Sequence, residues 1–161
     1  MALGTSFYGV PFLLVKQMTL KEWIKKYEEK SGEKHVDPAG FETLYDKDKG
    51  YAQIKKDGKF LIVYEVCGDG IYWRDRAIEA ALDKNCSWLF TICVRNILPY
   101  IRLMGGKWLE KTMLPNFHNA IKGNGINHLG NKLVVMPAWY DEDKKQLAYN
   151  VYSEVRKDNE D

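Results

Sequence analysis

Apolar positions recur along this chain with helical and strand periods that alternate. Leu20, Trp23, Ile24 and Tyr27 fall at i, i+3, i+4 and i+7, one face of an amphipathic helix. Thr19 followed three residues on by Glu22 opens that helix with a capping box, and Gly32 marks its end. Before it, the short apolar run 12–15 predicts a first strand. After it, 33–48 carries no clear period. Asp37-Pro38 either opens a short second helix or precedes an edge strand.

Asp57-Gly58 between 51–56 and 59–66 predicts a hairpin, because a tight primed turn needs residues that tolerate positive φ. Residues 60–64 are nearly all apolar, the pattern of a central strand covered on both faces. Cys67-Gly68-Asp69-Gly70 breaks that strand, and a helix follows to about Lys84 with Trp73, Ala77, Ile78, Ala81 and Leu82 on its buried side. The β-rich run 88–94 follows. Asn96 then caps a helix with Ile97, Tyr100, Ile101 and Met104 on one face. Pro99 is harmless in its first turn, and Gly105-Gly106 ends it. Residues 107–114 read as a strand. Residues 115–131, with Gly123, Gly125 and Gly130, read as a long loop, and 132–140 with 146–152 as a closing hairpin. Helices between strands imply crossovers and hairpins add antiparallel pairs, so the fold class is α/β (mixed α+β), a central mixed sheet flanked by helices. No repeat or linker divides the chain. One domain is expected over 1–155, with a polar tail at 156–161.

Composition narrows the partners. The 24 Lys and Arg against 22 Asp and Glu leave a net charge of +2, with no basic run of the kind that neutralises phosphates, so no nucleic-acid partner is expected. The apolar start is broken by Gly4, Gly9 and Pro11 and has no basic n-region, and no run is long enough to span a bilayer. Cys67, Cys86 and Cys93 form an odd set with no C-x-x-C pair. A cytoplasmic location without a membrane partner is expected.

The order strand, glycine turn, helix, strand, Asn-capped helix and Gly-terminated strand over roughly 51–114 resembles the GNAT N-acetyltransferase superfamily. The resemblance implies that the strand ending at Val66 splays from the next parallel strand. Acetyl-CoA would lie in the gap, its pantetheine on the splayed strand and its pyrophosphate on the amides of the following turn and helix. The family's turn motif is Arg or Gln, two residues, Gly, one residue, then Gly or Ala. Here it is matched by Glu65-Val66-Cys67-Gly68-Asp69-Gly70, with Glu in place of Arg or Gln and Asp69 adding a second carboxylate. The implied cofactor-binding residues are Val66, Cys67, Gly68, Asp69, Gly70, Arg74 and Asn96, with Arg74 or Arg76 offsetting the acidic pair. The family's thiolate-protonating Tyr would fall near residues 102–104, where no Tyr stands. Tyr100 lies one turn earlier.

Acyl transfer to an amine needs a proton acceptor and a group that protonates the leaving thiolate. Glu65 at the strand end is the candidate base and Tyr100 the candidate acid. His118 and His128, flanking the glycine-rich stretch, could line an acceptor groove, whereas His35 reads as a surface residue. Cys67 beside a helix start is a weaker nucleophile candidate. No metal-ligand spacing occurs, so no metal is expected. The resulting reading is an acyl-CoA-dependent N-acyltransferase acting on a small-molecule or protein amine, with activity degenerate to the extent that the motif is altered. The alternative is a non-catalytic GNAT-fold binding or assembly protein, such as a phage-type virion or accessory protein. A third is an unrelated α/β binding module with an aromatic groove.

Overall fold

Thr19 and Glu22 exchange the two capping-box hydrogen bonds, and Gly32 ends the helix at φ +72°. The element best signalled by the sequence is therefore present in detail in the computed structural model. That structure describes Thr5–Ser6, Gly9–Val10, residues 17–94 and residues 96–157. The expected strand at 12–15 lies outside the described residues. In chain order the elements are β1 (Thr5–Ser6), β2 (Gly9–Val10), α1 (Leu20–Ser31), β3 (Glu42–Asp46), β4 (Gly50–Asp57), β5 (Phe60–Gly68), α2 (Gly70–Asp83), β6 (Trp88–Cys93), α3 (Ile97–Leu103), β7 (Lys107–Leu114), β8 (Ala120–Ile126), β9 (Lys132–Asp141) and β10 (Gln146–Glu154).

Among the described residues β1 and β2 pair only with each other. The other strands form one eight-stranded sheet in the order β3-β4-β5-β6-β10-β9-β8-β7. The β5–β6 pair is parallel and its neighbours antiparallel, as a helical crossover through α2 requires. Strand alternation sorts the side chains onto two faces. On one face Leu61, Val63, Leu89, Val135, Tyr149 and Val151 form the main core with Ala77, Ala80 and Ala81 of α2 and Ile97 and Ile101 of α3. On the other, α1 lays Trp23, Leu20, Ile24 and Tyr27 over Tyr51 and Cys67. Two indoles anchor the β3–β4 turn: Trp23 Nε1 donates to Lys47 O (3.2 Å) and Trp73 Nε1 to Lys49 O (2.7 Å).

Three expectations need correction. The stretch 115–131 is not one long loop, because β8 pairs with both β7 and β9. Its glycines suggest a loop but serve close packing. A Cβ on Gly123 would lie 2.4 Å from Glu110 O and 2.7 Å from the Trp108 ring, beside a bulge that leaves Leu109 unpaired on β7. The buried Asn127 then closes the β8–β9 turn, accepting from Leu129 N and Asn131 N and donating to Ser153 Oγ and Glu154 O. Second, β5 is interior to the sheet and meets α2 on one face and α1 on the other, but the cover is incomplete at Tyr64, which is 47% exposed. Third, Leu82 is exposed and Ala80 takes its place in the core, because Ala80 rather than Leu82 continues the Trp73–Ala77 face. The unassigned stretch 33–48 resolves into the edge strand β3, one of the two options left by Asp37-Pro38.

At the end of the sheet Val155 is buried, its N–H donates to Ser87 O at 2.8 Å, and the exposed Arg156 reaches the Asn85 side chain. No helix among the described residues is long and apolar enough to cross a membrane.

Candidate functional site

β5 and β6 pair from Phe60↔Trp88 to Val63↔Thr91, and no further. Yet β5 runs on to Gly68, held by β4, while β6 runs on to Cys93, held by β10. The two strands therefore part company midway, leaving the β6-facing edge of residues 64–68 without a strand partner among the described residues. The cause lies in the register. Ala52 faces Val66 and Ile54 faces Val63, so Tyr64 and Glu65 together oppose Gln53. Such a bulge bends the strand and increases its twist, and this one sits where pairing with β6 ends. It also turns the following side chains over. Val63 and Val66 pack on the α2 side, whereas Cys67 packs under α1.

The glycine turn that follows is built by the chain itself. Gly68 (φ +117°) and Gly50 (φ +107°) cross so closely that a Cβ on Gly68 would stand 2.0 Å from Lys49 O. Asp69 caps α2: its carboxylate accepts from Tyr72 N at 3.0 Å and lies 3.4 Å from Lys49 Nζ. The hydrogen bond from Tyr72, with help from Lys49, holds the Asp69 carboxyl below the usual carboxylate range. Asp69 N donates to Lys49 O. The expected anion seat is thus shared with a carboxylate of the protein.

The remaining implied residues are dispersed. Arg74 Nη1 donates to Leu103 O (2.8 Å) and its Nε to Asp75 (2.9 Å), which ties α2 to the end of α3. Arg76 pairs with Glu79. Asn96 accepts from Leu98 N as the α3 cap and borders a shallow groove with Leu98, Leu147 and Tyr149. Tyr100 is half-buried against the main core. Cys67, Cys86 and Cys93 are buried thiols. His118 stacks on Tyr140 with centroids 3.6 Å apart, and His128 Nδ1 lies 3.3 Å from Met104 O. The two histidines therefore stand at opposite ends of β8.

Glu65 lies in the bulge, 3% exposed, and is the centre of a polar cluster on the α1 side. Its Oε1 meets His35 Nδ1 at 2.6 Å and accepts from Tyr51 Oη at 2.8 Å, and its Oε2 accepts from Val36 N at 2.8 Å. Gln53, facing the bulge, donates to Val36 O at 2.7 Å. The His35-Val36 backbone is thus clamped from both sides. Read by periodicity, His35 is one more polar residue in an irregular stretch, and no sequence signal links it to a carboxylate thirty positions away. Only the path of the chain after α1 brings them together.

Burial, then the nearby Glu65 charge, push the Tyr27 hydroxyl up from 10.0 to about 12. Burial and the hydrogen bond to Glu65 raise Tyr51 further. A raised tyrosine pKa means that the folded state resists ionisation more than the unfolded chain. The stability it contributes is intact below pH 10.0 and is lost as pH rises toward about 12. Urea midpoints should therefore fall across that window, and the double variant Tyr27→Phe/Tyr51→Phe should flatten the decline. An unchanged slope would show that other groups control alkaline unfolding.

An eight-stranded mixed sheet with one parallel pair opened midway, helices on both faces and a glycine turn leading from the opened strand into a helix make up a GNAT-like mixed α+β fold. The ribosomal-protein-S18-alanine N-acetyltransferase from Escherichia coli shares it, with a TM-score of 0.50 at 9% identity, covering 91% of this chain and 96% of its own. That likeness shows the fold alone. The sequence matches no protein-family model and no curated protein.

Proposed function

We propose that the protein transfers an acyl group from a CoA-type thioester to an amine. The observation that carries this reading is the divergence of β5 from β6 beyond Val63↔Thr91, which leaves the backbone edge of residues 64–68 able to hydrogen-bond an amide-bearing arm. Acetyl-CoA would supply a pantetheine arm with two amides and an activated acyl group. The fit is good along that edge, with Val66 and Cys67 lining it. It is poorer at the α2 N-terminus, where the Asp69 carboxylate already takes an amide that a pyrophosphate would need. Arg74 is committed to Leu103 and Asp75, so it does not offset Asp69 without rearranging. On this reading the arm, more than the pyrophosphate, holds the donor.

Glu65 belongs to the base side of the reaction, and Tyr100 on α3 is the hydroxyl assigned to protonate the departing thiolate. Calorimetric titration with acetyl-CoA and with acetyl-pantetheine tests the reading. Both should bind, with affinities within about tenfold of each other, equivalent to about 1.4 kcal/mol. Thiol release with a panel of primary amines should then show turnover, and Tyr100→Phe should lower kcat more than it raises KM. No binding of either thioester at millimolar concentration would defeat the reading. It would favour the second one, a non-catalytic domain that keeps the scaffold, for which the self-capped α2 N-terminus already speaks.

A further inference from the structure

We infer that His35 is the catalytic proton acceptor for the amine, and that Glu65 acts through it as a positioning residue; this rests on the acyl-transfer reading above. Glu65 is too enclosed to receive a substrate proton directly. It is 3% exposed and already engages His35 Nδ1, Tyr51 Oη and Val36 N. His35 is the member of the cluster that reaches solvent, with its side chain 20% exposed.

The arrangement is that of a buried carboxylate orienting an imidazole. Tyr51 Oη and Val36 N both donate to Glu65, and His35 Nδ1 stands 2.6 Å from its Oε1, where a proton on Nδ1 makes it a third donor. With the proton held at Nδ1, the lone pair is at Nε2, for which no partner stands among the described residues. Hydrogen bonds from a carboxylate to one ring nitrogen set the tautomer and aim of a histidine. The backbone supports the same aim: Glu28 Oε2 accepts from His35 N at 2.9 Å, Gln53 fixes Val36 O, and the His35 ring meets Tyr51 edge-on at 6.0 Å.

The location suits the reaction as well. Glu65 sits in the bulge where β5 leaves β6, so the dyad flanks the opening of the proposed donor cleft. The Lys144–Glu33 ion pair (3.0 Å) brings the β9–β10 turn against the end of α1 beside it. The groups on the imidazole are Glu65 from β5 and Tyr51 from β4, while Glu28 from α1 and Gln53 from β4 hold the His35-Val36 backbone. Tyr27 and the Lys144-paired Glu33 lie just beyond. Carboxylates outnumber cations there, which favours an acceptor that arrives as a primary ammonium ion.

In the step, one ammonium proton passes to His35 Nε2 and from there to solvent. The freed nitrogen bonds to the acyl carbon as the carbon–sulfur bond breaks. The proton that nitrogen sheds on becoming an amide balances the one taken up by the thiolate, so one proton is released per turnover.

The test combines nitrogen-15 NMR of the imidazole with kinetics on the full chain. In the wild type the neutral His35 ring should show the Nδ1-protonated tautomer, and Glu65→Gln should shift that population. His35→Gln should lower kcat about a hundredfold and leave acetyl-CoA affinity unchanged. A predominantly Nε2-protonated ring in the wild type would overturn the assignment without needing a variant that folds. Wild-type kcat in a folded His35→Gln protein would overturn it while leaving acyl transfer standing. Failure of the wild type to bind acetyl-CoA or consume it would instead bring down the acyl-transfer reading, and this assignment with it.

Discussion

Gly68→Ala is expected to destabilise the protein by about 3 kcal/mol or more, a loss typical of forced backbone clashes. Two costs combine. The residue sits at φ +117°, where an L side chain is strained, and its new Cβ would fall 2.0 Å from Lys49 O and 3.0 Å from Gly50 Cα. Nothing flexible is available to move, because the atoms in the way are backbone, and Lys49 O already accepts from Asp69 N and Trp73 Nε1. Gly58→Ala separates the two costs. Gly58 has φ +61° with open space around it, so alanine there should cost only about 1 kcal/mol. Urea unfolding of both variants checks the contrast, and equal losses would mean that the β4–β5 crossing is looser than described. The comparison also bears on the reading of the turn motif. The first glycine of Gly68-Asp69-Gly70 is required by the fold whether or not a ligand ever approaches it.

Asp69→Ser is expected to tighten acetyl-CoA binding about tenfold, equivalent to about 1.4 kcal/mol. Serine keeps an N-cap oxygen for α2 and removes a negative charge from the place where a pyrophosphate would meet the helix amides. The gain should shrink as salt is raised and should be absent for acetyl-pantetheine, which carries no pyrophosphate. That second arm makes the measurement specific. Tightening of both ligands would indicate a general change in the cleft, and tightening of neither would place the pyrophosphate away from α2.

Much of the architecture can be read locally. The capping box at Thr19, the hairpin signal at Asp57-Gly58 (whose two-residue loop is Gly58-Lys59, one position later), the Asn96 cap and the Gly105-Gly106 stop act within a few residues of themselves, and each marks an element where the structure has one. β8 was not legible, because Gly123 and Gly125 are there to admit Trp108 and the β7 backbone, a demand set by a strand on the other side of a turn. The buried face of α2 was legible except at Leu82, whose exposure depends on where the sheet lies.

The site divides along the same line. Residues 65–70 could be singled out from the sequence, since a glycine turn between an apolar strand and a helix is a local pattern. What Gly68 does there was not legible, because it passes Lys49, in a segment about twenty residues earlier, whereas the Asp69 cap is a local bond to Tyr72 three residues on. Glu65 was legible as a strand-end carboxylate, but its partner His35 was not.

By itself, then, the sequence determined the periods, caps and turns from which a mixed α/β sheet follows, because those signals act over one helical turn or one hairpin. The tertiary structure alone decided that Tyr64 and Glu65 share one partner position, that β5 consequently bends away from β6, and that His35 meets Glu65 beneath α1. A register shift depends on the pairing of whole strands, and a buried side-chain contact such as His35 with Glu65 depends on where an irregular segment comes to rest. Neither is encoded in the residues nearest to it.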